Sequence, residues 1–305
     1  MTATQRQLRV GFIGLGNMGG PMTRNLAAAG FPLTVRDAND ELQARIAGEL
    51  GAAAAPAPAD FGDVDVLVTM LPDDKIVRLA LLDGGIADAL KPGAIVVDMS
   101  SSNPNGTIEL GKALAERGIG LVDAPVSGGI ARAETGQLAI MAGADDPAQL
   151  ERVRPVLETL GGTVFATGPL GSGHAMKALN NFVGGTTYLL TAEALVVGQQ
   201  YGLTPATMID VFNASTARSF NSEIVFKDHV ITGTYATRFA LGLLAKDVGI
   251  GANLAEAKGI DAPLAQLSAE RWQQALAARE FQDDHSEAHK GLWDADLVDR
   301  DATTG

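Results

Sequence analysis

The sequence predicts an α/β domain on a largely parallel sheet, then an all-α domain, with one long helix connecting them. Three observations predict this. Short apolar runs alternate with helical patterns as far as about residue 170, which is how a parallel sheet covered on both faces reads. A breaker cluster, PLGSG at residues 169–173, ends the alternation. Beyond it the periodicity is helical and no clear strand recurs. The expected division is residues 1–170 for the first domain and 171–305 for the second, the long helix included.

Each element has its own signal. Residues 9–14 (RVGFIG) read as the first strand, and 18–29 as a helix closed by Gly30. Residues 33–37 form a second strand, with a helix from Asp40 to about Leu50. Residues 64–70, 94–99 and 120–125 repeat the strand pattern, with helices starting near Asp73 and Pro104. Residues 138–143 and 163–167 complete the sheet. Ser172 suits the N-cap of the long helix, which runs from His174 to about Tyr201, with Gly202 just past its end. Residues 205–281 read as further helices, and the acidic tail beyond Phe281 is expected to be peripheral.

Composition narrows the function. Lys and Arg number 23 against 36 Asp and Glu, a net charge of −13. That balance argues against nucleic acid or an anionic membrane surface as a partner. A small anionic substrate remains compatible, because a local cluster of Lys and Arg overrides the global charge. The chain has no cysteine, so disulfides, thiolate nucleophiles and cysteine–zinc sites are excluded, and no metal is assigned. The opening MTATQRQLRV lacks the apolar core of a signal peptide. The most apolar stretch, residues 183–197, is interrupted by Gly184, Gly185, Thr186, Thr187, Thr191 and Glu193, so no membrane span is expected. The cytoplasm is the expected compartment.

Gly14-Leu15-Gly16-Asn17-Met18-Gly19 is a GxGxxG sequence between a strand and a helix, the context that dinucleotide binding requires. Gly14 permits the tight turn, Gly16 lets a pyrophosphate approach the backbone, and Gly19 lets the helix pack on the sheet. Asp37, ending the second strand, is placed to accept hydrogen bonds from the adenosine ribose and to repel a 2′-phosphate. NAD is therefore favoured, with NADP possible because Arg36 could swing to a phosphate.

Hydride transfer to or from an alcohol also needs a group that moves the hydroxyl proton. Lys177 stands just after the domain switch, and Asn181 lies four residues on, on the same helical face. An unperturbed lysine has a pKa of about 10.4, so partial burial or a second cation must favour its neutral form. Lys246 is a candidate second cation. His174 lies near the same face, where a helix-cap or surface role is expected.

Four motifs occur in order: GFIGLGNMGGPM at 11–22, DAPVSGG at 123–129, GxxxKxxNN at 173–181, and KD at Lys246 and Asp247. Together, over about residues 9–281, they resemble the β-hydroxyacid dehydrogenase family. The resemblance implies a Rossmann-type NAD(P) domain, a long interdomain helix and an all-α domain that builds a homodimer or homotetramer. It matches the catalytic lysine to Lys177 and the helix asparagine to Asn181. It matches the substrate-binding stretch to Ser127, Gly128 and Gly129, and a lysine near nicotinamide and substrate to Lys246. Leu71, Pro72 and Ser101 match further cofactor contacts. Arg132 and Arg238 depart from the pattern, standing where the family commonly has small residues or glycine.

The expected activity is an oxidoreductase that interconverts a short 3-hydroxy acid, 3-hydroxyisobutyrate-like, and its semialdehyde or keto form. The alternatives are an imine reductase on the same scaffold and a non-catalytic NAD-binding module. Lys177 argues against the first, and the retained lysine, asparagine and Ser-Gly-Gly argue against the second.

Overall fold

Nine strands form one mixed sheet in the computed structural model of the chain. The structure describes residues 8–299. Residues 1–7, part of the stretch read as lacking a signal peptide, and residues 300–305 of the acidic tail lie outside them.

In chain order the first unit contains β1 (Val10–Ile13), α1 (Gly19–Ala28), β2 (Leu33–Arg36), α2 (Asp40–Leu50), β3 (Ala53–Ala54), β4 (Val66–Thr69), α3 (Asp74–Arg78), α4 (Ile86–Ala89), β5 (Ile95–Asp98), α5 (Pro104–Ala115), β6 (Gly120–Asp123), β7 (Val126–Ser127), α6 (Gly129–Glu134), β8 (Leu138–Gly143), α7 (Pro147–Leu160) and β9 (Gly161–Gly168). The sheet order is β3-β2-β1-β4-β5-β6-β8-β7, with β9 also paired to β8. From β3 to β6 every pairing is parallel. Toward β7 the sheet turns mixed, because β8 runs antiparallel to both β6 and β7.

The alternating side chains explain why this half forms a two-faced sheet. Phe12, Val68, Val97 and Val122 enter one apolar core, and Ile13, Leu67, Val96 and Leu121 enter another. Strands buried on both faces read as near-continuous apolar runs, as β1, β4 and β5 do, apart from Thr69 and Asp98 at the ends of β4 and β5. Several segments carried no clear local signal: the two-residue strands β3 and β7, and α7. The last is nonetheless well bounded, with the Asp146 carboxylate accepting from Ala148 N and a proline at its start. The helix expected near Asp73 has only five regular residues before a wider turn takes over at Leu79–Asp83.

The long helix α8 (Ser172–Gln199) crosses the boundary between two compact units, Met1–Lys177 and Ala178–Gly305. Gly202, just past its end, has φ +78°, the left-handed conformation glycine adopts without strain. Ser172 is inside the helix, not at its cap. The capping is done instead by a carboxylate remote in sequence, described below.

The second unit adds α9 (Pro205–Asn213), a wide-turn helix (Asn221–Val230), α10 (Leu241–Ala257) and α11 (Pro263–Ala277). Its core gathers Tyr188, Leu195, Phe226, Leu244, Val248 and Trp272. The segment after Phe281 corrects the expectation of a peripheral tail. A short 3₁₀ helix (His285–Gly291) docks there, and Ala288 and Leu297 are fully buried in this core. Net acidity hid a few well-placed apolar residues that suffice to anchor it.

Candidate active site

The glycine loop follows β1 at the point where the chain order of the sheet reverses, with β2 on one side of β1 and β4 on the other. Crevices at such switch points receive ligands in open α/β sheets. Gly14 has φ +94°, and a side chain there would overlap the Met70 carbonyl. A side chain at Gly19 would overlap the Gly14 carbonyl, so α1 can pack this closely only without one. At Gly16 the space is open and the residue exposed. The first turn of α1 holds no acidic residue, leaving its positive end available to phosphate.

The adenosine side fits the same ligand. One oxygen of the half-buried Asp37 carboxylate accepts from Leu15 N at 2.7 Å, and the other from Asn39 N at 2.9 Å. Arg36 is engaged elsewhere: its guanidinium donates to the Ala55 and Pro56 carbonyls at 3.3 Å each. Leu71 and Pro72 follow β4, and Leu71 N donates to the Ser100 hydroxyl at 2.9 Å. Ser101 is the next residue, half-buried. These residues fit a bound nicotinamide dinucleotide.

Ser127 ends β7 half-buried, and Gly128 and Gly129 follow with φ +129° and +67°, exposed. Arg132 is exposed, and its aliphatic stem packs over Gly128: a Cβ on Gly128 would sit 2.5 Å from Arg132 Cδ. Arg238 likewise occupies a glycine-like conformation, with φ +64°.

Lys177 is half-buried one turn into α8. The start of that helix is held by Asp123, at the end of β6. Its carboxylate accepts from Gly171 N at 2.8 Å and from His174 N at 2.7 Å. Gly173 must lack a side chain, since a Cβ there would overlap the Met141 carbonyl. Burial pushes the Asp123 carboxyl up, and Asp98 adds to the rise; His174 and the two backbone donors oppose it.

His174 corrects the expectation of a cap or surface residue. It is 1% exposed. Nε2 lies 3.1 Å from the Ser100 carbonyl oxygen, and Nδ1 lies 2.8 Å from the Thr107 hydroxyl. A carbonyl only accepts, so Nε2 carries a hydrogen. The Asp98 and Asp123 carboxylates each approach the ring to 3.7 Å.

In the second unit, Asn181 is buried one turn beyond Lys177 along α8, and its side-chain amide donates to Asp247 at 2.6 Å. The Asn181 side-chain oxygen accepts from Asn180 at 3.2 Å. Lys246 Nζ lies 3.5 Å from the other Asp247 oxygen. The structure thus joins Asn181 and Lys246 through an aspartate that carried no assigned role. Its signal was the second letter of the KD motif, as that of Asp123 was the first letter of DAPVSGG. Among the described residues, no group of three His, Cys, Asp or Glu is placed to hold a metal, and no helix is long and apolar enough to cross a membrane.

Residues 9–168 match the family described as the NAD binding domain of 6-phosphogluconate dehydrogenase. Residues 171–292 match the NAD-binding family of NADP-dependent 3-hydroxyisobutyrate dehydrogenase. The chain belongs to the β-hydroxyacid dehydrogenase family. As a member it is an oxidoreductase acting on CH–OH donors, with NAD(P) as cofactor. Among its relatives in the β-hydroxyacid dehydrogenases is the 2-(hydroxymethyl)glutarate dehydrogenase of Eubacterium barkeri, 35% identical over 87% of this chain and 88% of that protein. The NAD-dependent L-serine dehydrogenase of Pseudomonas aeruginosa is 33% identical over 90% and 95% respectively. The solved structure of Mycobacterium tuberculosis 3-hydroxyisobutyrate dehydrogenase with L-serine superposes with a TM-score of 0.85 at 29% identity, covering 94% of this chain and 99% of that one.

Proposed function

We propose that this dehydrogenase oxidises the hydroxymethyl group of a 2-substituted 3-hydroxypropanoate to the semialdehyde, and catalyses the reverse reduction, with Lys177 as general acid and base. The observation that carries this is the placement of Lys177 and Asn181 one turn apart on α8, with Asn181 oriented by the buried Asp247. The relatives support the substrate class. 2-(Hydroxymethyl)glutarate, L-serine and 3-hydroxyisobutyrate share the frame HOCH₂–CH(R)–COO⁻ and differ only in R.

Bound nicotinamide supplies the hydride acceptor, or the donor in reduction. The chain supplies the rest. The backbone N–H groups around Ser127, Gly128 and Gly129 suit a carboxylate, with open space beside Gly129 and the Arg132 stem packed over Gly128. Lys177 takes the hydroxyl proton as the carbonyl forms, and returns it in reduction. Asn181, its amide held by Asp247, lies one helical turn from Lys177 and is placed to orient the substrate. Lys246 adds positive charge for the anionic acid, compensated in part by Asp247.

We further infer a cytoplasmic homodimer or homotetramer. Met176, Val183, Leu190 and Val197 recur every seven residues along α8, each at least 43% exposed. Such an apolar stripe suits burial against another copy. Light scattering on the purified protein would return a monomer mass if this is wrong.

The activity is tested by initial rates against 3-hydroxyisobutyrate, L-serine, 3-hydroxypropionate and 2-(hydroxymethyl)glutarate, each with NAD and NADP. At least one should turn over with NAD. Turnover of cyclic imines alone, or tight NAD binding with no turnover on the panel, would remove the reading.

A further inference from the structure

We propose that His174 is a positioning residue for Lys177: its buried ring ties the first turn of α8 to the loops that follow β4 and β5. The inference rests on the reading of Lys177 as the proton-transfer group. It goes beyond that reading by naming what holds the lysine.

The connections form one chain of hydrogen bonds. Leu71 N donates to the Ser100 hydroxyl at 2.9 Å. The Ser100 carbonyl accepts from His174 Nε2 at 3.1 Å. The other ring nitrogen meets the Thr107 hydroxyl of α5 at 2.8 Å. His174 N donates to Asp123 at 2.7 Å, closing the chain onto β6. Leu71 and Ser100 belong to the loops that carry the expected cofactor contacts Leu71, Pro72 and Ser101. Lys177 sits three residues after His174, so it lies almost directly above it on the same helical face.

Two features make the ring an anchor rather than filler. It is 1% exposed, yet both nitrogens have partners, and Asp98 and Asp123 flank it at 3.7 Å each. An apolar side chain of similar size would fill the space but would leave the Ser100 carbonyl unpaired at full burial, which costs about 1–3 kcal/mol, and would leave the Thr107 hydroxyl only its longer bond to the Asn103 carbonyl at 3.2 Å. The first turn of α8 would relieve that cost by moving, and a displacement of about 1 Å at a proton-transfer group can lower turnover about a hundredfold.

The test compares wild type with His174→Leu, His174→Gln and Thr107→Val. Hydrogen–deuterium exchange at the amides of residues 174–177 reads the anchor without reference to activity. In His174→Leu that exchange should accelerate at least about tenfold, a drop of about 1.4 kcal/mol in local opening free energy. Its kcat should fall about 10- to 100-fold, with KM and the NAD dissociation constant within about threefold. His174→Gln, which keeps a donor toward Ser100, should recover part of both. Thr107→Val leaves the ring in place and should show a smaller change of the same kind, so the question stays answerable if His174→Leu does not fold. Unchanged exchange and unchanged kcat in a folded His174→Leu, or in Thr107→Val if only that variant folds, would overturn the proposal. Faster exchange in an enzyme whose wild type turns over no hydroxy acid would instead spare the anchor and remove the assigned chemistry.

Discussion

The Asn181 amide donates to the Asp247 carboxylate at 2.6 Å, and both residues are buried. The asparagine belongs to α8 and the aspartate to α10. A buried asparagine without such an acceptor could turn its amide over; this one is held in one orientation. Asp247→Ala should therefore lose about 1–3 kcal/mol of stability from the orphaned amide. It should also raise KM for the acid about tenfold, worth about 1.4 kcal/mol. Asp247→Asn keeps an acceptor and should recover most of both. Urea denaturation and initial rates check this, and an unchanged KM in a destabilised Asp247→Ala would confine Asp247 to a packing role.

Lys177→Ala should lower turnover about 10²- to 10⁴-fold, the usual weight of a general acid–base group, while NAD affinity stays within about twofold. Lys177→Arg should fare no better, because guanidinium holds its proton. Steady-state rates with a fluorescence titration of NADH separate the two quantities. Near-normal turnover in either variant ends the proposed chemistry.

We propose that Asp37 sets the cofactor preference. Its carboxylate faces the glycine loop through Leu15 N, while Arg36 is engaged with the Ala55 and Pro56 carbonyls. Removing the acid in Asp37→Ala should shift the NAD-to-NADP ratio of kcat/KM toward NADP by about tenfold or more, at least about 1.4 kcal/mol. A ratio that does not move would mean that the 2′ position is read elsewhere.

His289 predicts an acid-sensitive second unit. Burial pushes its imidazole down from the ordinary 6.5 to about 4. The folded protein therefore keeps the ring neutral where the unfolded chain protonates it. The stabilising contribution is complete above pH 6.5 and is lost as pH falls from about 6.5 to about 4, on the order of 3 kcal/mol in all. Burial pushes His285 in the same direction. Denaturant midpoints taken across that pH range should decline less steeply in His289→Gln than in wild type. Parallel profiles would show that His289 does not drive the decline.

Local pattern exposed much of this molecule. The glycine loop, the apolar strands and the helix from 172 to 199 each announce themselves within a few residues, because turn geometry and side-chain period are local properties. His174 did not. Nothing in GSGHAMK distinguishes a solvent-facing imidazole from one enclosed by Ser100, Thr107 and Asp123. Its partners lie 74, 67 and 51 residues away. The docked tail was hidden for the same reason, since Ala288 and Leu297 are buried only by what surrounds them.

The amino-acid order by itself determined that a dinucleotide loop opens the chain and that an amine and an amide sit one helical turn apart far downstream. Only the tertiary structure decided what supports that pair: Asp123 capping α8 from β6, His174 locking its first turn, and Asp247 orienting the amide. The reason is physical. Helical spacing is enforced by backbone bonds between near neighbours. Burial and remote hydrogen bonds exist only once distant segments meet and water is excluded.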